Sequence, residues 1–168
     1  MKNNTVIFTT YPLFGFFRQR IKDENGNVRL TVTSKIRFKP IFHFYRETEL
    51  IYSAIIKKSD LFRFNFDISN AEGKQIATLM EKPIVEKKTI YREYSIEIGT
   101  EIFSAQYENL SRSFAIRNNL NGVLVQGRLV SPLIMNIFKF KKYKVDFYID
   151  EFPEELWMAI VFGIITLE

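Results

Sequence analysis

Pro153-Glu154-Glu155-Leu156-Trp157-Met158-Ala159-Ile160-Val161-Phe162-Gly163-Ile164-Ile165-Thr166-Leu167 is the stretch that decides the fold. Residues 156–165 carry no polar side chain, so a helix made from them has no hydrophilic face and must be shielded from water on all sides. About fifteen residues at roughly 1.5 Å each give about 22 Å, well short of the roughly 30 Å hydrocarbon layer of a bilayer. The spacing therefore predicts a buried core helix over residues 153–167 rather than a membrane span. Pro153 suits the first helical position, where no amide donor is needed, and Glu154 and Glu155 complement the positive end of the helix dipole. Phe152 then falls at the N-cap, where it offers no acceptor, so Asp150 or a bridging water is expected to satisfy the first amides. Gly163 costs ~1 kcal/mol in a helix interior relative to alanine; it marks either a close approach to the surroundings or the onset of fraying.

What could surround such a helix is legible in the remainder, which reads as β-strands. The cleanest alternation sets Phe62, Phe64, Phe66 and Ile68 against Arg63, Asn65, Asp67 and Ser69, the period-two pattern of a half-buried strand. A hairpin runs through residues 14–22 into Asp23-Glu24-Asn25-Gly26-Asn27 and returns through Val28, Leu30 and Val32. Further strands are expected over residues 5–10, 37–45, 50–57, 75–81, 89–98, 101–107, 112–117, 123–130, 134–138 and 143–150. That makes about twelve. The turn glycines Gly26, Gly73 and Gly122 recur about every 48 residues, a period that holds about four strands, so three such units would close a barrel.

Composition bounds the rest. The 168 residues fit one domain with one core, and 17 Phe and 8 Tyr point to a β-rich fold with a large interior. The sequence has no cysteine, which excludes disulfides and thiol catalysis. Residues near Met1 show neither a charged-then-apolar leader nor a cleavage pattern, and the expected location is cytoplasmic. A net charge of +5 and a pI of about 9.3 permit attraction to anionic partners but are modest enough to be merely solubilising.

These units, and above all Tyr143-Lys144-Val145-Asp146-Phe147-Tyr148-Ile149-Asp150 followed by the apolar run, resemble the tubby-like fold shared by tubby C-terminal domains, phospholipid scramblases and LURP-one-related proteins. The resemblance covers nearly the whole chain. It implies a closed barrel of about twelve antiparallel strands around a central hydrophobic C-terminal helix, in proteins that act at membranes. It assigns no site residue here, and residues 35–45 are more basic and aromatic than the family leads one to expect.

Little supports catalysis. His43 is the sole histidine, so a histidine-rich metal site is impossible and a serine triad would depend on that one side chain within Phe42-His43-Phe44. The scattered glycines form no phosphate loop, and Glu154-Glu155 is better explained by the helix start than by acid–base work. No cofactor or metal is expected, and a barrel filled by its own helix leaves no lumen for substrate. Basic residues do cluster: Lys139, Lys141, Lys142 and Lys144 lie within the densest positive stretch, joined by Arg37 and Lys39, by Lys57-Lys58 and by Lys87-Lys88. Such a cluster can be a solvated strand, or it can hold anionic phospholipid at about 1 kcal/mol per lysine or arginine near the membrane surface. It can also grip a nucleic-acid backbone while Phe140 and Tyr143 stack on bases, or meet a protein partner. The expectation is a non-enzymatic cytosolic domain with anionic phospholipid as the leading ligand. The competing architecture is an open barrel serving as a small-ligand carrier or hydrolase.

Overall fold

The computed structural model describes residues 4–10, 16–35, 40–58, 63–83, 91–131, 141–149 and 151–167. Twelve strands are followed by one helix: β1 (Asn4–Thr10), β2 (Phe16–Asp23), β3 (Val28–Lys35), β4 (Ile41–Arg46), β5 (Glu49–Lys58), β6 (Phe64–Asn70), β7 (Gln75–Glu81), β8 (Tyr91–Ile98), β9 (Glu101–Glu108), β10 (Ser113–Arg117), β11 (Val123–Leu129), β12 (Lys141–Phe147) and α1 (Glu154–Leu167). Each strand pairs antiparallel with its neighbour in sequence, and β1 also pairs with β12 from Asn4↔Phe147 to Thr10↔Lys141, which closes the barrel. The segment 134–138, expected as a weak strand, lies outside the described residues.

Because successive side chains on a strand point to opposite faces, the period-two pattern sorts them into a lining and a coat. Phe42 and Phe44 on β4, Phe66 and Ile68 on β6, Tyr94 and Ile96 on β8 and Val145 on β12 are fully buried, together with residues 156–162 and 164–165 of α1. Phe162 meets Phe42 at 5.1 Å, Phe44 at 5.5 Å and Phe66 at 6.3 Å between ring centroids, while Trp157 meets Phe103 edge-on at 5.2 Å. The helix thus touches opposite parts of the wall and occupies the lumen; no open calyx is present. Phe64 departs from the expected pattern. It opens its strand at the end of the barrel away from the helix start and is 42 % exposed, whereas Asp67 on the outer face is buried under Lys57, whose Nζ lies 2.6 Å from its carboxylate.

The helix begins one residue later than the sequence suggests. The Pro153 carbonyl accepts from the Leu156 amide at 3.0 Å, so Pro153 itself is the N-cap and Phe152 instead packs on Phe103 and Trp157. Glu154 accepts from the Asn4 side chain and lies 3.4 Å from Arg29, and Glu155 binds Arg46, which ties the helix start to the rim formed by β1, β3 and β4. At the other end Arg92 donates to the Leu167 carbonyl at 2.9 Å. Burial pushes the neighbouring Glu81 carboxyl above its ordinary range, with the Arg92 charge opposing.

Gly163 marks a close approach, as its place in the helix implied. A Cβ there would sit 2.7 Å from Phe66 Cδ1 and 3.0 Å from Leu79 Cδ2. Gly163→Ala should therefore lose more by crowding than it gains in helix propensity, a net destabilisation of ~1–2 kcal/mol. A urea midpoint that rises in this variant would show that the wall yields there.

The threefold repeat of a four-strand unit is visible in the turns. Asp23, Asn70 and Asn118 each accept, through a side-chain oxygen, the backbone amide four residues later at 2.9, 2.9 and 2.8 Å. Each turn ends in a left-handed residue, Gly26 (φ 86°), Gly73 (φ 84°) and Asn121 (φ 62°), so the third unit uses asparagine and Gly122 follows it. A register shift sits beside each of these turns.

Candidate functional site: a basic face and a parted seam

Up-and-down connection puts every second strand end at the same end of the barrel. The entry end, where α1 begins, carries the tight turns and the exposed carboxylates Glu47, Glu49, Glu72, Glu101 and Glu151. The far end carries Lys57 and Lys58 at the end of β5, Lys82 after β7, Arg112 before β10 and Lys141 and Lys142 at the start of β12. Exposed apolar side chains stand at both ends: Val28, Ile102 and Leu120, the last at 89 % exposure, lie at the entry end, and five others at the far end. Ile41, Phe64 and Tyr91 open β4, β6 and β8, Leu110 tips the β9–β10 turn at 77 % exposure, and Val130 follows β11. The exposed charge of the described residues is thus mainly acidic at the entry end and mainly basic at the far end, while exposed apolar side chains occur at both.

The basic residues singled out from sequence divide between faces and regions. Arg37, Lys39, Lys139, Lys87 and Lys88 lie outside the described residues. Lys141, Tyr143 and Val145 share the inward parity of β12, so Lys141 stands at the barrel mouth, while Lys142 and Lys144 point outward. The linear run is therefore not a single patch, because adjacent strand residues face opposite ways. Tyr143 is fully buried and its hydroxyl lies 3.1 Å from that of Tyr107, so it cannot stack on a base. Lys144 Nζ donates to Glu24 at 2.7 Å, and this bond, with the Glu24 charge, raises its pKa above the ordinary lysine value.

Three cations on β2 were missed by reading for linear density. Arg18, Arg20 and Lys22 alternate with the buried Gln19 and Ile21 and all stand exposed on the outer face. β1 keeps its register with β12 over seven pairs but meets β2 only at Val6↔Asp23 and Ile7↔Lys22. Beyond those pairs the two strands part, and a cleft of about 570 Å³ opens along the seam. Arg18, Arg20 and Lys22 form one side of it, Lys142 the other, with Ile7 and Thr9 of β1 between them and the β2–β3 turn below. Arg128 on β11 extends the positive face beyond Lys144.

The outer face also accounts for the lone histidine. His43 Nδ1 lies 2.9 Å from Ser53 Oγ across the β4–β5 ladder, with no carboxylate partner among the described residues. Nor do the described residues contain a group of histidines and carboxylates able to hold a metal ion. No described helix is long and apolar enough to cross a membrane.

No family model, curated protein or solved structure matches the chain.

Proposed function

We propose that this chain is a non-enzymatic, cytoplasmic binding domain of the tubby-like kind, and that it rests on anionic phospholipid membranes through the far end of its barrel. The closed twelve-strand wall around a C-terminal apolar helix supports the family reading. The observation that carries the membrane reading is the grouping of exposed Ile41, Phe64, Tyr91, Leu110 and Val130 with exposed lysines at the far end, whereas the exposed charge around the apolar residues of the entry end is mainly acidic. Apolar side chains at such a rim enter the headgroup boundary while the cations meet lipid phosphates, and the acidic entry end turns toward solvent. The basic run from Lys139 to Lys144 begins its described part at this same end, at Lys141 and Lys142.

Wild-type protein should co-sediment with vesicles in proportion to their phosphatidylserine content, and less so as salt is raised. Changing Lys58 and Lys82 together to glutamine should weaken low-salt binding roughly thirtyfold, from about 1 kcal/mol per residue. Leu110→Ser should weaken it further without changing its salt dependence. Binding that ignores both lipid charge and salt would end this reading.

A further inference from the structure

We propose that the parted seam between β1 and β2 is a binding site for a small phosphate-bearing ligand, held by Arg18, Arg20, Lys22 and Lys142. The charge pattern around the cleft leads there. Of the two carboxylates at its lower edge, Glu24 is engaged by Lys144, and Asp23 is engaged by Asn27, whose hydrogen bond holds the Asp23 carboxyl below its ordinary pKa. The next carboxylate along β12, Asp146, accepts from Thr5 Oγ1 at 2.6 Å. The charged heads of Arg18, Arg20, Lys22 and Lys142, by contrast, have no ion pair or hydrogen bond among the described residues. Four like charges facing one concavity repel each other, and a dianion placed among them relieves that repulsion while gaining charge-assisted hydrogen bonds.

Shape and chemistry agree with this assignment. The cleft falls within the ordinary size range of small-ligand sites and is too large for a bare phosphate to fill. Two arginines at alternate positions of one strand present planar forks to neighbouring phosphoryl oxygens, and the lysines supply point charges from both sides. Among the described lining residues Ile7 is the sole large apolar one, so the described lining favours a polar ligand body. The same chemistry would be offered by a soluble phosphorylated metabolite or by a phosphomonoester headgroup that reaches up from a membrane. The site stands on its own residues and does not require the end-on docking proposed above.

Inorganic pyrophosphate is the probe, titrated calorimetrically into the full chain at low ionic strength with no lipid present. Wild type should bind it with an affinity that falls steeply as salt rises, and the ligand should raise the thermal midpoint by mass action. Arg18→Gln with Arg20→Gln should weaken binding by roughly a hundredfold and Lys142→Gln by roughly tenfold, while Arg20→Lys retains part of it. The glutamine variants should melt at or above the wild-type midpoint without ligand, because a like-charge cluster has been relieved, so lost binding is separable from lost folding. Absence of binding by wild type, or binding that these variants leave unchanged, would overturn the assignment. Vesicles containing phosphatidic acid then identify the source: release of bound protein by pyrophosphate marks a headgroup, and retention marks a soluble ligand. The Lys58 and Lys82 double variant should bind pyrophosphate like wild type, which keeps this result distinct from that of the membrane test.

Discussion

A chain that stops after Phe152 is expected to show no cooperative unfolding transition. The removed helix buries Leu156, Trp157, Met158, Ile160, Val161, Phe162, Ile164 and Ile165 to 6 % exposure or less. At ~1.5–3 kcal/mol for each large apolar side chain, their sum of about 12–24 kcal/mol is as large as or larger than the whole ~5–15 kcal/mol by which a domain of this size is stable. The loss does not end there, since the inward faces of β4, β6, β8 and β9 would line a hollow with nothing to pack against. Urea titration followed by near-ultraviolet circular dichroism is the measurement, with dye binding as a second reading of exposed apolar surface. A sharp transition in the shortened chain would mean that the wall stands without its contents, contrary to the packing described.

Phe162→Ala should be the most damaging single truncation, costing ~3–5 kcal/mol. Its ring touches three phenylalanines from two strands, so deletion leaves a cavity walled by β4 and β6 that cannot collapse without bending both. The matched control is Ile102→Ala on β9, where a side chain 52 % exposed should change stability by no more than ~0.5 kcal/mol. Comparable shifts of the urea midpoint in the two variants would contradict the placement of the helix.

The architecture was readable because two periodicities do not compete here. Residues 156–165 leave no polar stripe to lie on a surface, and the strands alternate cleanly enough that burial of Phe66, Ile96 and Val145 follows from parity alone. Parity does not say where a strand starts relative to its contents, and so Phe64, Val28 and Ile41 were apolar yet exposed at strand beginnings. The glycine repeat located the turns, although its third member shifted by one because asparagine also tolerates the left-handed region. The cleft was not readable as a site. Its cations on β2 and β12 are more than a hundred residues apart in the chain and become neighbours only through β1, which closes the ring. The alternation of Arg18, Arg20 and Lys22 was the available signal, and a search for consecutive charges passes over it.

That closing stave has a temporal meaning. β1 is the first strand of the barrel to be made, yet its partner β12 and the Glu154 carboxylate that holds Asn4 follow only after the ten strands between. During synthesis the nascent sheet must wait, apolar lining exposed, until β12 and α1 have left the ribosome. A molecule so arranged would depend on chaperone protection during translation more than its finished stability suggests, and slowing the ribosome over the codons for β12 and α1 should lower its yield.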